Sequence, residues 1–233
     1  MFTLQILVNR TSLEAVKTDL TKALPAIKSS HRVEALARGL GFRTYAALLA
    51  ATTSNKTAAA VANGASFTRY LRDHEFDAPE KSLYIAVARV AIQSVLERTP
   101  RLSMSGIGAG APRRKLDGKW ENAREHYARF LGHRDQLMSE AAVDGFLLAL
   151  AFVSRVNPTK TIRPKTSSYW LKHIAEKFTC FYADGYKLGP CYVSNGQLIA
   201  AAIYSGFKYK TFVDEQGYAV SYTHLTLPTN REV

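Results

Sequence analysis

The strongest constraint on the fold is a segment that is apolar around nearly the whole circumference of a predicted helix. Asp77 and Pro79 supply a cap and a first helical position, and the pattern predicts a helix that continues to Arg98. Its apolar side chains are those of Leu83, Tyr84, Ile85, Val87, Val90, Ile92, Val95 and Leu96. A helix that is apolar on all sides belongs in a protein core. We therefore expect this helix to be buried by other elements of the chain.

Length and composition exclude several classes of protein. The 233 residues are 47% hydrophobic, which is enough for one moderate core or two small ones, and they do not fit a disordered tail, a collagen or a coiled coil. Two cysteines cannot form a disulfide framework, so we expect a reducing, cytoplasmic location. The longest apolar run, Phe146–Val153, is far shorter than the roughly 20 residues of a membrane span. We predict no membrane partner.

Capping residues and helix-stopping residues predict a series of helices in the first part of the chain. Ser12 is predicted to cap a helix that Pro25 stops. The sequence Phe2–Val8 fits either a strand or the approach to that helix. Further helices are predicted over 31–39 and from Thr44 to about 52, and Asn63 with the glycine after it is predicted to stop an Ala-rich stretch.

The second part of the chain is predicted to combine helices with two long loops and two hairpins. Helices are expected near 119–131, over 136–153, from Ser168 to about 178, and from Ser194 to Ser205. The second of these carries the apolar run Phe146–Val153 as a core segment, and Gly206 is the predicted left-handed stop of the last. Loops are expected over 101–118 and 154–167. Hairpins are expected over 179–193, around Asp184 and Gly185, and over 208–219, around the Gln-Gly pair at 216–217. The predicted fold class is mainly α with a small C-terminal β-hairpin element. We expect units at 1–52, 53–153 and 154–219, followed by a separate segment at 220–233.

Positive charge is concentrated in the middle of the chain. The whole chain has 31 Lys and Arg against 19 Asp and Glu, and residues 98–172 hold fourteen of the cations and six of the acids. Most of this excess lies in the two predicted loops. Cations on a mobile, glycine-rich loop can follow a phosphate backbone and release its counterions. We therefore predict DNA or RNA as a partner, bound through phosphate contacts, although such cations also occur simply as solvated loop charges.

The candidate nucleic-acid-binding residues are the cations of the two loops and their flanks. They are Arg101, Arg113, Arg114, Lys115, Lys119, Arg155, Lys160, Arg163, Lys165 and Lys172. Tyr127, Tyr169 and Trp170 lie near them in sequence and could stack on bases. The glycines at 106, 108 and 110 lack the Gly-Lys-Ser/Thr ending of a nucleotide-binding loop, so we predict no such loop and no cofactor.

A second hypothesis is a protein-interaction module. The residues from Leu36 to Phe42 fit the turn of a helix-turn-helix, but the helix that follows, 44–51, is apolar on nearly every side. A recognition helix needs polar side chains on its outer face. This composition favours packing, or docking on a partner protein, over insertion into a DNA groove.

The same region is similar to a known helical unit. The residues Ile27–Ala37, Gly41–Tyr45 and Leu48 resemble a short unit labelled glyoxalase-related, over about residues 14–52. That unit occurs in uncharacterised bacterial proteins, many of them encoded on plasmids and integrative elements. Residues 168–173 and 192–196 are also similar to hypothetical proteins of such elements. The resemblance implies a mobile-element-associated protein and says almost nothing about activity. For the hypothesis of a protein-interaction module, it implies a partner in a conjugation or plasmid-maintenance complex.

The sequence gives little support for an enzyme. A glyoxalase-type metal site needs more ligands than His31 and Glu34, and Cys180 and Cys191 lack the paired spacing of a zinc ribbon. Arg69 and His74 fit the Arg-x4-His spacing of HEPN-type ribonucleases, which keeps a ribonuclease as a weak alternative. His126 and His133 lie seven residues apart with no acidic partner at ligand spacing. We therefore predict no catalytic and no metal-binding residues.

The last fourteen residues resemble a translated sequencing adapter. Back-translation of 220–229 gives a transposase-type adapter, a barcode would encode 230–232, and the next adapter triplets would give Val233 and a stop codon. Engineered segments of this kind do not belong in an argument about the fold. We therefore expect the natural sequence to depart from this one after Ala219, and we exclude His224 from any candidate site.

Overall fold

The computed structural model describes residues 2–53, 58–162, 167–212 and 223–226. Within these ranges the chain is mainly α-helical with short two-stranded antiparallel sheets, so the predicted fold class is confirmed. The helices are α1 (Arg10–Ala23), α2 (Ser29–Gly39), α3 (Tyr45–Thr53), α4 (Gly64–Arg72), α5 (Lys81–Arg98), α6 (Ala123–Asp135), α7 (Glu140–Val153), α8 (Ser168–Ala175) and α9 (Asn195–Tyr204). The strands are β1 (Gln5–Val8), β2 (Ala58–Val61), β3 (Leu102–Ser103), β4 (Gly106–Ile107), β5 (Cys180–Phe181), β6 (Lys187–Leu188), β7 (Tyr209–Lys210) and β8 (His224–Leu225).

The chain forms two compact units. The first contains Met1–Ala91 and Cys180–Leu188, and the second contains Ile92–Thr179 and Gly189–Val233. The hairpin β5–β6 therefore belongs to the first unit, although most of the chain around it belongs to the second. This hairpin was predicted around Asp184 and Gly185, and the antiparallel pairing of Cys180 with Leu188 confirms it.

The N-terminal segment is a strand rather than the approach to a helix. In β1 the side chains alternate between exposed and buried, and the strand pairs antiparallel with β2. The predicted cap of α1 is wrong: Asn9 is the N-cap, and its side chain accepts a hydrogen bond from the backbone N–H of Ser12. Ser12 is the third helical residue and completes a capping box by accepting from the N–H of Asn9.

The Ala-rich stretch after α3 is not a helix that ends at Asn63. Its residues 58–61 form β2, in which Ala59 lies opposite Leu7 of β1. Asn63 instead caps the start of α4, because its side chain accepts from the N–H of Ser66. The predicted stop is therefore wrong, since an Asn before a Gly can begin a helix as well as end one.

The core of the first unit brings α2 and α4 together. A side-chain carbon at Gly39 would lie 2.7 Å from Leu83 and 3.0 Å from Phe67, so the absence of a side chain allows the close approach. Leu83 and Val87 of α5 are fully buried, as expected for the apolar helix. Glu80, which precedes α5, joins the hairpin β5–β6: its N–H donates to Asp184, and its own carboxylate accepts from the N–H of Ala183.

The helix α3 is largely exposed. Leu48 is its one buried residue, whereas the next residue, Leu49, is 41% exposed. The expectation that this helix packs within the protein is therefore met on one narrow face only. Its start is held by Glu34, whose carboxylate accepts the N–H of Tyr45 at 3.0 Å.

The core of the second unit is built on α7 and α9. Every residue of α7 from Gly145 to Val153 is buried, which agrees with the predicted core run. A side-chain carbon at Gly145 would lie 2.6 Å from the amide of Gln197, a buried residue of α9. The Gln197 amide donates to the carbonyl of Ala142 and accepts from the N–H of Ser194, so this close contact satisfies polar groups of both helices.

The long segment predicted as a loop over 101–118 contains regular structure. Leu102 and Ser103 pair with Ile107 and Gly106 in the hairpin β3–β4, and Arg114 bridges to Trp120 further along. The description of this segment as a plain loop is therefore wrong. The following helix begins later than predicted, at Ala123, because Asn122 caps it.

The C-terminal elements follow their capping residues. Ser194 caps α9 in a capping box, and Gly206 adopts a φ of +82° after the helix, both as predicted. The cap of α8 is Ser167 rather than Ser168. Strand β7 pairs with β8, which lies in the adapter-like segment, and the predicted turn at 216–217 lies outside the described residues.

Candidate nucleic-acid interface

Part of the positive charge of the 101–118 segment lies on a small hairpin. We call it the basic hairpin (residues 113–121). Its strands are held by the N–H of Lys115 donating to the carbonyl of Lys119 at 2.7 Å and by the Arg114–Trp120 bridge. The turn is closed by the N–H of Gly118 donating to Lys115, and Gly118 has a φ of +80°. The Asp-Gly pair at 117–118 is a typical sequence for such a turn.

The base of the basic hairpin is anchored to α6 by Arg129. Its guanidinium forms a bidentate pair with the Glu121 carboxylate, in which Nε donates at 2.8 Å and Nη2 donates at 2.9 Å. It also donates to the carbonyls of Ala109 and Ala111. The hydrogen bond from Arg129, with the Arg113 N–H as a further donor, lowers the pKa of Glu121 to about 2. Glu121 therefore stays ionised and fixes the hairpin at neutral pH.

The basic hairpin exposes apolar side chains as well as charge. Leu116 at its turn is fully exposed, with a relative accessibility of 110%, and Trp120 is 66% exposed. Arg113, Arg114 and Lys119 are exposed beside them. Single exposed apolar side chains are common on protein surfaces, so the feature specific to this hairpin is that they lie next to exposed cations.

Two of the carboxylates near the basic hairpin are already engaged. Glu121 is bound by Arg129, and Glu125 at the start of α6 accepts a hydrogen bond from Lys115 at 3.0 Å. The hydrogen bond to Glu125 raises the pKa of Lys115. Lys115 is therefore a weaker candidate for a phosphate contact than its neighbours, because its charge is partly compensated within the protein.

The other predicted residue of this region, Arg101, is exposed at the start of the hairpin β3–β4. Its carbonyl accepts the N–H of Gly108 at 2.7 Å, which fixes the backbone of the residue. Tyr127, one of the predicted stacking residues, is 61% exposed on α6, where its ring stacks against Phe130.

The cations of the second predicted loop divide into two groups. Arg155 and Lys160 are exposed, and the Arg155 guanidinium lies over the Phe178 ring at 4.8 Å from its centroid. Arg163 and Lys165 lie outside the described residues. Arg155 and the Phe178 ring that it contacts thus both belong to the second unit.

Lys172 does not fit the role expected of it. It is 5% exposed, its ammonium lies 3.1 Å from the Glu176 carboxylate, and it sits over the rings of Tyr169 and Tyr192. A buried, paired ammonium is not available to a phosphate. We therefore leave Lys172 out of the interface and assign it to the packing of α8.

The residue that sequence reasoning missed is Trp120, together with Leu116. The predicted stacking residues Tyr169 and Trp170 are 53% and 38% exposed, but Tyr169 already has Lys172 and His173 on its ring. The signal for Trp120 was present as an Asp-Gly turn flanked by Arg, Lys and Trp. The sequence places Trp120 in the helix predicted near 119–131, so it does not show that this side chain shares a turn with Arg114 and Leu116.

Two of the histidines considered for catalysis or metal binding, His31 and His74, lie in the first unit. In the first unit His31, Tyr70 and His74 form a ring cluster, with the His31 and His74 centroids 5.0 Å apart. The His74 Nδ1 is 2.8 Å from the carbonyl of Tyr70, and Arg69 is exposed on α4, which ends two residues before His74. Among the described residues there is no group of three or more His, Cys, Asp or Glu that could hold a metal ion.

No single helix of the described ranges has the length and apolar character needed to cross a membrane. The two helical segments Ala123–Met138 and Glu140–Val153, which meet at a bend of 69°, reach that length and apolar character only when taken together. Comparisons of the chain with protein-family models, with curated proteins and with solved structures found no match.

Proposed function

We propose that this protein binds DNA or RNA through the basic hairpin, in a phosphate-led and largely sequence-independent manner. The observation that carries the proposal is the combination on one small protrusion of three exposed cations, Arg113, Arg114 and Lys119, with the exposed side chains of Trp120 and Leu116. Exposed cations and exposed aromatic side chains are each common on protein surfaces, so the proposal rests on their combination.

The chemistry of these groups matches a nucleic-acid strand. Cations that neutralise phosphates release condensed counterions, and an aromatic side chain stacks on bases of any sequence. An apolar residue at the end of a protrusion, such as Leu116, can also insert between bases. Because the nearby carboxylates of Glu121 and Glu125 are bound by Arg129 and Lys115, they repel a phosphate less than free acids would.

The remaining cations of the predicted set extend the proposal. Arg101, Arg155 and Lys160 are exposed and can add phosphate contacts. Arg163 and Lys165, outside the described residues, remain part of the proposed set. As the resemblance of residues 14–52 implies, we further propose that the protein belongs to a bacterial mobile element, and that binding needs no catalytic step.

The test is a salt titration of nucleic-acid binding. Fluorescence anisotropy with single-stranded and duplex DNA and RNA oligonucleotides is measured for the wild type and for the triple variant Arg113→Gln, Arg114→Gln, Lys119→Gln. If these residues each contact a phosphate, the slope of log affinity against log salt falls by about 2 in the variant, at roughly 0.7 per contact on a single strand. Absence of binding at low salt, or a slope that does not change in the variant, overturns the proposal.

A matched control removes the same charge elsewhere. Arg10, Lys22 and Lys28 are exposed cations of the first unit, so the triple variant Arg10→Gln, Lys22→Gln, Lys28→Gln carries the same net charge as the hairpin variant. We expect this control to keep most of the wild-type slope. An equal fall in both variants would mean that only the net charge matters and that the basic hairpin is not the interface.

A second candidate function, docking on a partner protein, is favoured by one specific observation. The apolar helix α3 buries only Leu48 and exposes Leu49 together with the alanines around it. A partner protein recovered in stoichiometric amount after nuclease treatment, and lost with Leu49→Glu, would support it. Recovery that disappears on nuclease treatment would assign the association to nucleic acid instead.

A further inference from the structure

Ser105 and His133 form a hydrogen-bonded pair that the proposed binding function does not use. The Ser105 Oγ lies 2.8 Å from the His133 Nδ1, and both residues are half-buried. Ser105 lies in the two-residue turn of the hairpin β3–β4, and His133 lies in the last turn of α6. A serine hydroxyl next to an imidazole is the arrangement that activates serine as a nucleophile.

The turn that carries Ser105 is held from two sides. The N–H of Met104 donates to the carbonyl of His133 at 2.9 Å, which fixes the turn against α6. On the other side, the carbonyl of Met104 accepts the N–H of Gly196, and the carbonyl of Ser105 accepts the side-chain amide of Asn195 at 3.3 Å. These contacts fix the backbone on both sides of the serine, which is what a positioned nucleophile needs.

The start of α9 fits this turn because residue 196 has no side chain. A side-chain carbon there would lie 2.0 Å from the carbonyl oxygen of Ser103. The hydroxyl of Ser194 also lies 3.0 Å from the sulfur of Met104. The glycine therefore allows a close contact between a helix start and a hairpin turn, and this contact supports the serine.

The charges around His133 favour its neutral form. Burial lowers the pKa of His133, and the cations Arg113 and Arg129 lower it further, while Glu121 acts in the opposite direction. A neutral imidazole can accept the hydroxyl proton of Ser105 near pH 7. Of these two arginines, Arg113 is exposed and could attract an anionic substrate, whereas the charge of Arg129 is compensated by Glu121.

We propose that Ser105 is an activated nucleophile, with His133 as its base, that attacks the phosphorus of a phosphodiester. The choice of a phosphodiester rests on the proposed nucleic-acid binding, because Arg113 belongs to the basic hairpin and also lies near His133. The serine–histidine pair itself stands on its own geometry.

The step balances without a cofactor. The Ser105 oxygen forms a bond to phosphorus, the bond from phosphorus to the leaving oxygen breaks, and the serine proton passes to His133. The imidazolium then gives this proton to the leaving oxygen. Water, with His133 again as the base, releases the phosphate monoester and restores the serine.

The first measurement uses a small probe that does not depend on nucleic-acid binding. A fluorophosphonate is incubated with the full chain, and the modified residue is identified by peptide mass spectrometry. We expect modification at Ser105, no modification in Ser105→Ala, and a rate at least about 100-fold lower in His133→Gln. The exposed Ser139, whose hydroxyl donates to the carbonyl of Gln136, serves as the control serine. Equal modification of Ser105 and Ser139, or none at Ser105, overturns the proposal.

A second measurement on the unchanged protein covers the case in which His133→Gln fails to fold. The rate of modification should rise with pH through a single ionisation below the usual histidine value of about 6.5 and then stay constant. A rate that keeps rising toward pH 10 would mean that hydroxide rather than His133 removes the proton, and this would overturn the role of the histidine.

The substrate class has its own test. Hydrolysis of bis(4-nitrophenyl) phosphate is measured for the wild type, Ser105→Ala and the triple variant of the basic hairpin. We expect release of nitrophenolate that is lost in Ser105→Ala, and Ser105→Ala should still bind oligonucleotides. A protein whose Ser105 is modified by the probe, but which does not cleave the diester, contradicts the phosphodiester assignment. If the protein cleaves the diester but does not bind oligonucleotides, only the proposed binding function is contradicted.

Discussion

Arg114 and Trp120 lie opposite each other across the antiparallel bridge of the basic hairpin. Residues directly opposite in an antiparallel pair point to the same face. A guanidinium and an indole therefore share one face of the protrusion, while the Arg114 Nε donates to the carbonyl of Gly118 at 2.9 Å and limits the movement of the side chain. One face thus presents both a positive charge and an aromatic ring.

We expect Trp120→Ala to weaken binding of single-stranded oligonucleotides by about 1–3 kcal/mol, the usual value of one base stacked on an aromatic side chain. The melting temperature should hardly change, because Trp120 is 66% exposed. Anisotropy and thermal unfolding measure the two effects. Tyr186→Ala, which removes an aromatic side chain that is 56% exposed in the first unit, is the control. An equal loss of affinity in the control would contradict a specific role of Trp120.

Lys172→Met should reduce stability and leave the salt dependence of nucleic-acid binding unchanged. The substitution leaves the Glu176 carboxylate, 21% exposed, with His173 as its described partner. Removing one member of a buried ion pair costs on the order of 3 kcal/mol. Urea unfolding measures this cost, and Lys177→Met, at an exposed position just after the same helix, should cost little. A smaller salt slope in a folded Lys172→Met protein would return Lys172 to the interface.

Two glycines of the second unit should respond to alanine in opposite directions. Gly196→Ala places a carbon 2.0 Å from the Ser103 carbonyl oxygen, so we expect a loss of at least about 3 kcal/mol in the free energy of unfolding. Gly132→Ala, in the interior of α6 with nothing within 4 Å, should gain about 0.5–1 kcal/mol. Urea unfolding of both variants gives the comparison. A neutral Gly196→Ala would show that α9 does not pack closely on the hairpin turn.

The contact between Glu121 and Arg129 should appear in the pH dependence of stability. The pKa of Glu121 is lowered to about 2, so its contribution is fully present above the ordinary value of 4.5 and is lost as the pH falls from 4.5 through about 2. The difference in melting temperature between the wild type and Glu121→Gln should therefore be largest near pH 6 and should shrink toward pH 2. A difference that is constant across this range would mean that the two groups do not interact as described.

A chain that ends at Ala219 tests the adapter-like segment. Leu225 is fully buried, and the N–H of Thr223 donates to the hydroxyl of Ser168, so we expect a lower melting temperature after the deletion. Oligonucleotide affinity should stay the same, because the basic hairpin is held by α6 and its own backbone. Loss of binding in a truncated chain that still unfolds cooperatively would contradict this expectation.

Local sequence signals predicted most of the helices, since a cap and an apolar face act within a few residues. Ser194 and Gly206 mark the start and the end of α9 as predicted, and the Asp-Gly pair at 184–185 forms the turn of the hairpin β5–β6. The errors at Ser12 and Ser168 are shifts of a cap by a few residues, because several polar residues there compete for the same N–H groups. Asn63 was misjudged more seriously, because the strand before it pairs with a segment more than fifty residues earlier.

For the candidate site, too, local sequence signals are separate from features that depend on long-range packing. Sequence alone identified the cations from Arg113 to Lys119, because a local excess of charge needs no knowledge of the fold. It did not identify the burial of Lys172, the exposure of Trp120 or the pairing of Ser105 with His133. Each of these depends on residues that are distant in sequence.

What the sequence by itself determined was therefore a mainly helical protein with positive charge concentrated between residues 98 and 172. The tertiary structure alone decided which charges face solvent, and it brought the turn at Ser105 against the end of α6 and the start of α9. The physical reason is that caps and helix periodicity act over a few residues. Burial and hydrogen bonding between distant segments follow only from how the elements pack.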